Sequence, residues 1–423
     1  MGIIVHYQYR LATRHACKPL SAFLILICFA VGLPLYGNDF DAPPLLAPYL
    51  AAAPEITSKA AVLLDMETGT ILYAKNPHEE ISPASLTKLM TMHLVQKEVN
   101  AGRASLDETV PVTEESWGLR QPPRSTLMFL APGQTVTLRE IMLGLAVSSG
   151  NDAAVAAALR VAPSVADFAA MMTREARSMG LTKTRFIEPS GISEDNITTA
   201  WEFTIFCREY LRQHPHSLAN FHSVREFAYP KAANVAEAFR DNPKTIVQEN
   251  RNTLLKTFPG VDGLKTGYID EAGYNIALTA QRNGTRFITV ILGAPARSGG
   301  ERIRDRDGEQ LLSWAFGNFK TVRPRITPPE PVRLWKGRDK WIPLQYDEPV
   351  FTSPLNRAAS LYATTEINHP LIAPLPAMYP AGWLVISDER GELHRTRLFT
   401  AQDYPQGNIF RRILDGIRLF LLK

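Results

Sequence analysis

The sequence predicts an α+β protein with an antiparallel sheet flanked by helices, a helical lobe beside it and a small C-terminal all-β domain. Strand patterns lie at both ends of residues 55–320 and helical patterns fill the middle, so the two ends are expected to build one sheet. After the Pro-rich stretch at residues 327–331, short strands separated by Pro and Gly replace helical periodicity. With 423 residues, 45% of them hydrophobic, the chain has apolar material for one large domain and a smaller one.

The first 37 residues have the pattern of an export signal. Arg10, Arg14 and Lys18 precede an apolar run over residues 20–32, and the segment contains no acidic residue. The run is short for a membrane span and has the length of a secretory signal core. We therefore expect an exported protein with a signal peptide over residues 1–37 and a spacer over 38–54; an uncleaved N-terminal anchor is the alternative.

Charge and cysteine content exclude several classes of function. The formal net charge is +4 and three of these charges lie in the signal segment, so the rest is nearly neutral and nucleic acid is not expected as a partner. Cys207 is the only cysteine outside that segment, which leaves no internal disulfide. The histidines around His214 and His216 lack metal-ligand spacing, so neither a metal nor another cofactor is expected.

The sheet strands are predicted from short apolar runs. Residues 60–65 and 70–74 flank a turn at residues 67–69, and residues 273–280 and 286–292 flank an Asn-Gly turn typical of a β-hairpin. A helix carrying Leu311, Leu312 and Trp314 closes the region.

The helical lobe is predicted from start signals and apolar spacing. Thr137 and Glu140 form a capping box, and Ser164 with Asp167 marks another helix start. An Ala-rich helix is expected from Asp152 onwards, and helical spacing returns over residues 199–211. Residues 105–135 are Pro-rich and show little periodicity.

The remainder divides into a linker over 321–331, a β domain over 332–405 and a terminal helix over 406–423. In that helix Phe410, Ile413, Leu414, Ile417 and Leu421 recur at helical spacing, with most charged residues off this face. The segment is too short and too charged to span a bilayer, so we expect it to lie in the membrane interface. A helix packed on the β domain is the alternative.

Ser85 and Lys88 are the first candidates for catalysis. They lie one turn apart after Pro83, at the head of an apolar run. A neutral lysine amine within hydrogen-bond distance activates a serine hydroxyl, provided that burial and a neighbouring cation such as Lys265 lower its pKa. An N-capping serine with a solvated lysine is the ordinary alternative.

Two further triplets lie downstream at predicted element boundaries. Ser149-Gly150-Asn151 falls at a helix junction, where a hydroxyl and an amide can face a cleft. Lys265-Thr266-Gly267 precedes a predicted hairpin; its lysine and hydroxyl suit a carboxylate, and its glycine allows a substrate to approach the backbone. The three motifs together favour a catalytic site.

Together these motifs resemble those of the low-molecular-mass penicillin-binding proteins, the serine-type D-alanyl-D-alanine carboxypeptidases. The association of Ser-x-x-Lys, a second Ser-x-Asn triplet and Lys-Thr-Gly with penicillin-binding enzymes is well known. The similarity extends to residues 250–252, 260–267, 273–275 and 407–410, and so covers most of the chain after the signal. It implies a β-lactamase/transpeptidase-like fold and removal of the terminal D-alanine from peptidoglycan stem pentapeptides, with β-lactams as inhibitors.

The resemblance also implies a role for each site residue. Ser85 would be acylated, Lys88 would activate it, Ser149 would pass a proton to the leaving amine, and Asn151 would hold the substrate backbone and the lysine. Lys265 and Thr266 would engage the terminal carboxylate, with the backbone N–H groups of Ser85 and Tyr268 forming the oxyanion hole. Gly267 would let the substrate approach the backbone. Arg304, with Arg302 as second choice, would help to hold the carboxylate. The family's C-terminal anchoring implies location on the periplasmic face of the cytoplasmic membrane.

Two departures from the family pattern are visible. Tyr268 follows Lys-Thr-Gly where the family often has histidine, which bears on pH dependence and deacylation. The family's Asn-Pro-His-Gly-Leu-like loop is Glu-Pro-Ser-Gly-Ile at residues 188–192.

Three other functions share part of this pattern. A class A β-lactamase requires a Glu-x-x-Leu-Asn glutamate, which neither Glu188 nor Glu194 supplies. The additional β domain and C-terminal tail are also not part of that family's pattern. A DD-endopeptidase that cleaves peptidoglycan crosslinks is closer in chemistry. An inactive penicillin-binding scaffold is disfavoured by the intact motifs.

Overall fold

The computed structural model describes residues 52–357, 360–368 and 370–421. The predicted signal peptide and most of the spacer lie outside these residues. The chain divides into two compact units at the junction of Asn318 and Phe319.

Within the described residues, the first unit contains nine strands and seven α-helices, and these carry the three motifs. In chain order they are β1 Ala60–Asp65, β2 Ile71–Lys75, α1 Lys88–Asn100, β3 Thr109–Val110, β4 Val136–Thr137, α2 Leu138–Leu143, α3 Asn151–Val161, α4 Val165–Ser178, α5 Ala200–Gln213, β5 Glu226–Tyr229, β6 Ile246–Glu249, α6 Leu254–Thr257, β7 Val261–Ile269, β8 Gly273–Arg282, β9 Thr285–Ala294 and α7 Gly300–Asn318.

The predicted sheet forms from both ends of this unit. Five antiparallel strands lie in the order β2-β1-β9-β8-β7, so β1 from the start of the unit pairs with β9 from its end. Asn283 and Gly284 turn β8 into β9 with φ values of 49° and 80°, the left-handed pair that a tight hairpin turn requires. β7, which carries Lys265, is an edge strand.

The helical lobe forms where the start signals predict it. Thr137 and Glu140 make a reciprocal capping box on α2, and the Ser164 side chain accepts a hydrogen bond from the Asp167 N–H at the start of α4. Apolar residues of α1, α3, α4 and α5 meet in one core, in which Leu89 and Phe168 are fully buried.

Two local departures from α-helix occur at the motifs. Residues Ala84–Thr87 form a 3₁₀ turn, and the α-helix itself begins at Lys88. After α2, residues Gly144–Ser148 widen into a π-helical turn, which ends in Ser149 with left-handed dihedrals. π-turns and left-handed residues are frequent at functional sites because they re-aim side chains.

The second unit is a small β domain followed by a helix. Its elements are β10 Phe319–Val322, β11 Val332–Trp335, β12 Trp341–Ile342, β13 Leu344–Tyr346, β14 Phe351–Pro354, β15 Tyr362–Ile367, β16 Leu371–Ile372, β17 Pro380–Asp388, β18 Gly391–Thr400 and α8 Ile409–Leu421. β13-β18-β17-β15 form one sheet and β12-β11-β16 another. Leu334, Ile342 and Leu398 are buried in their shared core.

The boundary between the units differs from the predicted one. β10 pairs with β14 of the second unit, so residues 319–322 belong to the β domain. The predicted catalytic domain ends two residues earlier than expected, and the predicted linker loses its first two residues to a strand. The alternating Phe319–Val322 segment follows a long helix directly, which left no turn signal to mark it.

In the part of the chain that the structure describes, no single helix has the length and apolar character needed to cross a membrane; one bent pair, Asn151–Val161 with Val165–Ser178, passes that test on length and composition together.

Candidate active site

Ser85 and Lys88 face each other at the start of α1. Ser85 lies in the 3₁₀ turn and is partly exposed, whereas the Lys88 side chain is fully buried. Lys88 Nζ lies 3.0 Å from Ser85 Oγ, 2.8 Å from Asn151 Oδ1 and 2.5 Å from the Ser190 carbonyl oxygen. The alternative of a solvated lysine beside a capping serine is therefore wrong.

The environment of Lys88 favours the neutral amine. Its pKa is lowered from 10.5 to about 7, mainly by burial. The charges of Glu188 and Asp152 raise it and the charge of Arg251 lowers it, and the value of about 7 includes all of these effects. A neutral amine has two N–H groups, and the Asn151 and Ser190 oxygens can only accept hydrogen bonds. With both N–H groups donated to them, the lone pair faces the Ser85 hydroxyl, as a general base requires.

Asn151 is oriented by residues on the Pro-rich segment that showed little sequence pattern. Its Oδ1 accepts from Lys88, and its Nδ2 donates to Ser125 Oγ at 3.0 Å. The Asn151 backbone N–H donates to the Thr126 carbonyl oxygen at 2.8 Å. Sequence reasoning missed Ser125, because a serine in an aperiodic loop carries no local signal.

Ser149 is hydrogen-bonded to the second lysine of the site, Lys265. Its backbone is left-handed, with φ 59° and ψ 34°, and its carbonyl accepts a hydrogen bond from Thr126 Oγ1 at 2.5 Å. Its Oγ accepts a hydrogen bond from Lys265 Nζ at 2.9 Å. The left-handed residue, which costs about 1 kcal/mol for a non-glycine, directs this hydroxyl towards β7.

Lys265 is the second buried lysine of the site. Its side chain is 2% exposed, and Nζ donates to Ser149 Oγ and, at 3.0 Å, to the Thr266 carbonyl oxygen. Burial lowers the pKa of Lys265 well below its usual value, and the charges of Lys88, Arg251 and Arg304 act in the same direction. A bound carboxylate would offset both the burial and the repulsion, so the site favours an anionic group.

The Lys-Thr-Gly triplet lies inside β7 and precedes the β8–β9 hairpin, as predicted. Thr266 is buried and pairs with Ile276 of β8. A Cβ at Gly267 would lie 2.8 Å from the Pro83 carbonyl oxygen and 3.0 Å from the Ser85 nitrogen, so only glycine allows β7 to lie this close to the serine. The backbones that carry the Ser85 and Tyr268 N–H groups are thereby adjacent.

The Tyr268 side chain points away from this contact. It is 41% exposed and donates to Asp270 Oδ1 at 2.5 Å. Its ring contacts that of Tyr274, with ring centres 4.2 Å apart and the planes tilted by 33°. The Asp270 hydrogen bond raises the pKa of Tyr268 to about 12, so the phenol stays protonated.

Arg304 is buried on α7, close enough to Lys265 for its charge to act on that lysine. Its Nε and Nη2 both donate to Asp305 Oδ1, at 2.8 and 2.6 Å. Asp305 in turn accepts from Thr253 Oγ1 at 2.6 Å. Arg304 is thus held in place beside the cationic end of the site.

Arg251 is a site residue that sequence reasoning did not assign. It occurs in the Asn-Arg-Asn triplet as a motif match without a role, and its charge acts on the pKa of both Lys88 and Lys265. The signal that could have identified it was its position between two amides, Asn250 and Asn252, each of which fastens the backbone beside β7.

The loop at residues 188–192 holds the carbonyl that receives Lys88. Glu188 accepts hydrogen bonds from the Ser190 and Gly191 backbone N–H groups, at 2.7 and 2.6 Å, and from Asn196 Nδ2 at 2.7 Å. Glu188, which replaces the asparagine of the family's loop pattern, therefore caps a turn whose Ser190 carbonyl oxygen faces the Lys88 amine.

The arrangement defines a serine acyl-transfer site. It has a hydroxyl facing a lysine base, a second hydroxyl bonded to a second lysine, close backbone N–H groups beside the nucleophile, and a cationic end suited to a carboxylate. These parts are the requirements of a serine hydrolase whose substrate ends in a free carboxylate.

Comparison with known proteins gives the family. The profile of the family described as D-alanyl-D-alanine carboxypeptidase matches residues 48–296. The chain is 31% identical over 376 residues to the D-alanyl-D-alanine carboxypeptidase DacC of Escherichia coli (strain K12), covering 87% of this chain and 89% of that one. Penicillin binding protein 5 from Haemophilus influenzae superposes with a TM-score of 0.73 at 29% identity, covering 84% of this chain and 100% of that one. Penicillin-Binding Protein D2 from Listeria monocytogenes, in its cefotaxime bound form, gives 0.53 at 27% identity, covering 63% and 100%.

The chain belongs to the D-alanyl-D-alanine carboxypeptidase family of low-molecular-mass penicillin-binding proteins, as the motifs indicated. It has the transpeptidase-like fold, and it is a serine-type D-Ala-D-Ala carboxypeptidase. The predictions of family, fold and activity are confirmed.

Proposed function

We propose that Ser85 forms the acyl-enzyme and that Lys88 is its base, on a peptidoglycan stem pentapeptide ending in D-Ala-D-Ala. The Ser85 hydroxyl passes its proton to the Lys88 amine while Oγ bonds to the penultimate carbonyl carbon. The oxyanion lies between the Ser85 and Tyr268 backbone N–H groups. The bond to the terminal D-alanine then breaks, its nitrogen taking a proton through Ser149, and water later releases the acyl group.

Lys265 holds the terminal carboxylate, with Thr266 beside it and Arg304 assisting. The observation that carries the whole assignment is the position of the buried Lys88 amine between Ser85 Oγ and two acceptors. That geometry supplies a base for one serine only.

The test of the nucleophile is Ser85→Ala. This variant should fold, release no D-alanine from a pentapeptide and take no covalent label from a fluorescent penicillin. Ser193→Ala, on the loop that follows residue 192, is the matched control and should keep both activities. Labelling of the Ser85→Ala variant would show that the acylated residue is another one.

β-Lactams should inhibit the enzyme by acylating the same serine. The cefotaxime bound relative from Listeria supports this, and a penicillin resembles the D-Ala-D-Ala terminus while its leaving group stays tethered. Mass spectrometry of the intact protein after incubation with benzylpenicillin should find a stable adduct.

We further propose that the protein is exported and that α8 binds the outer surface of the cytoplasmic membrane. Apolar side chains on one side of α8 face solvent, among them Phe410 at 81% and Phe420 at 80% exposure. At 13 residues the helix is about 20 Å long, shorter than a bilayer core, so it would lie in the interface. Arg411, Arg412 and Arg418 suit anionic headgroups.

Truncation after Gln406 tests this localisation. The shortened protein should partition into the soluble fraction and still bind penicillin, provided that signal cleavage is verified by N-terminal sequencing. Membrane fractionation of the cleaved, truncated chain would place the anchor elsewhere.

A further inference from the structure

β7 is an edge strand, so on its outer side no neighbouring strand of the sheet pairs with its backbone N–H and C=O groups. Its inner side pairs with β8, with Lys265 opposite Ala277. On the outer side, Gly263 and Leu264 offer carbonyl oxygens next to the lysine that receives the carboxylate. Side chains outside the sheet provide partners for both oxygens. Asn252 Nδ2 donates to the Gly263 oxygen at 3.3 Å, and His222 Nδ1 lies 3.2 Å from the Leu264 oxygen.

His222 is the last link of a buried polar chain. Gln96 Nε2 donates to Tyr210 Oη at 2.8 Å, and Tyr210 Oη lies 2.7 Å from His222 Nε2. Tyr210, His222 and Leu264 are each at most 1% exposed. The chain therefore runs from α1, the helix that Lys88 begins, through α5 to the peptide group that joins Leu264 to Lys265.

The direction of every hydrogen bond in this chain follows from the chemistry of its ends. The Leu264 carbonyl only accepts, so His222 Nδ1 carries a proton. Burial lowers the pKa of His222 to about 3, so the ring is neutral and Nε2 accepts from the Tyr210 hydroxyl. The Tyr210 oxygen is left to accept from Gln96, and one tautomer of His222 satisfies all three groups.

The turn that carries His222 is packed tightly on the strand. It is a π-turn over Leu218–His222, and a Cβ at Gly263 would lie 2.9 Å from Leu218 Cδ2 and 3.2 Å from His222 Cβ. Asn250 Nδ2 also donates to the Val224 carbonyl oxygen at 2.9 Å, just beyond the turn. The imidazole thus has little room to move relative to β7.

We propose that His222 is a positioning residue for carboxylate recognition: through the Gln96–Tyr210–His222 chain it fixes the Leu264–Lys265 peptide, and with it the Lys265 side chain at Ser149. The proposal rests on the carboxylate role of Lys265 proposed above. It predicts that damage to this chain weakens selection for a free C-terminus and does not simply slow the enzyme.

Two substitutions at one position separate the two ring nitrogens. The amide nitrogen of asparagine falls near the place of Nδ1, whereas that of glutamine falls near Nε2. His222→Asn should therefore keep the donor to Leu264, and His222→Gln should lose it. The measurement is kcat/KM on an acyl-D-Ala-D-Ala peptide and on its C-terminally amidated analogue, quantified by mass spectrometry of the released D-alanine or D-alaninamide.

His222→Gln should lower kcat/KM for the free acid roughly tenfold, mainly through KM, and leave the amide within about twofold. His222→Asn keeps the donor to Leu264 but loses the contact with Tyr210, so it should lower the free-acid preference less than His222→Gln does. His216→Gln is the control, since His216 is an exposed histidine of the same lobe, and its ratio should be unchanged. Equal losses on both substrates in His222→Gln, or equal ratios in the two His222 variants, would overturn the proposal.

Two more variants keep the test decisive. If His222→Gln does not fold, Tyr210→Phe removes one oxygen and should lower the free-acid preference severalfold; an unchanged ratio there would reject the positioning role.

Lys265→Ala tests the underlying assignment, since it should lose the free-acid preference most strongly. If Lys265→Ala loses activity equally on both substrates, the carboxylate role itself is wrong; if Lys265→Ala is selective and the chain variants are not, only the positioning role is wrong.

Discussion

At the scale of single residues, the pKa of Lys88 decides whether the serine can react. The amine must be neutral to take the Ser85 proton, and burial brings its pKa to about 7, with Arg251 lowering it and Glu188 raising it. Because the pKa is lowered from 10.5, the active form is populated above pH 7 and lost as the pH falls below it.

We therefore expect the rate of acylation by benzylpenicillin to rise with pH through about 7. Arg251→Gln removes a charge that lowers the Lys88 pKa and should move the midpoint to higher pH. Glu188→Gln removes a charge that raises it and should move the midpoint to lower pH. Stopped-flow acylation between pH 5 and 9 measures both shifts, and midpoints that move in the same direction would contradict this account of Lys88.

Residue by residue, the sequence marked side chains that the structure brings together at the candidate site, and it missed groups that contribute only a backbone atom or a contact from elsewhere in the fold. Ser85, Lys88 and Asn151 belong to short motifs and lie within one hydrogen-bonded cluster. Ser190 contributes only a carbonyl oxygen, which any residue type supplies, so no sequence pattern marks it. His222 acts across the fold on a strand 42 positions away, a contact that only tertiary structure creates.

At the scale of elements, α3 organises the Pro-rich segment in front of it. Asp152, in the first turn of α3, accepts hydrogen bonds from the backbone N–H groups of Met128, Phe129 and Leu130, at 2.8, 2.8 and 2.9 Å. This segment continues from Ser125 and Thr126, which hold Asn151 and Ser149. One buried carboxylate thus gives order to a stretch that has no periodicity of its own, which explains why the sequence showed so little there.

Asp152→Ala should loosen this segment and the site together. Each buried N–H left without a partner costs about 1–3 kcal/mol, so the free energy of unfolding should fall by several kcal/mol. Penicillin acylation should slow as Asn151 loses its fixed orientation. Asp167→Ala, an exposed carboxylate at the start of α4, is the control and should cost less than about 1 kcal/mol. Urea unfolding measures the stability of the two variants, and stopped-flow experiments measure their acylation rates. A destabilised Asp152→Ala variant with a wild-type acylation rate would show that this segment does not orient the site.

At the scale of each whole unit, the sequence predicted the architecture because its strand and helix patterns are strong. It did not predict the boundary between the units or the way in which α8 packs on the β domain. The hairpin turn and the capping box predicted β8–β9 and α2 to within a few residues. β10 was missed because its pairing partner, β14, lies some thirty residues further on. For α8, the sequence analysis treated a helix in the membrane interface and a helix packed on the β domain as alternatives. In the structure α8 is packed on the β domain and still exposes its apolar face.

The docking of α8 depends on Asp415. This carboxylate is 1% exposed, and it accepts hydrogen bonds from Arg333 Nη2 and from the Lys336 backbone N–H, both at 2.8 Å. The Arg333 guanidinium lies over the Trp335 ring at 4.8 Å. At about 100° per residue, Asp415 lies on the side of α8 opposite the apolar arc, so the contact turns that arc directly outward.

Because the β domain already holds α8 folded, binding to a membrane should not require the helix to form. The protein lacking the signal segment should show no gain of helical far-UV circular dichroism when anionic vesicles are added.

Asp415→Ala leaves Arg333 without its carboxylate, and breaking such a buried pair typically costs about 3–5 kcal/mol, so α8 should come away from the β domain. The variant should have less helix in buffer, regain it on vesicles and bind them more weakly, because binding then includes the cost of ordering a short helix. Glu330→Ala, which removes an exposed carboxylate of the same unit, should behave as the parent protein. An equal helical gain on vesicles in the parent and in Asp415→Ala would mean that the docked helix is not the form that meets the membrane.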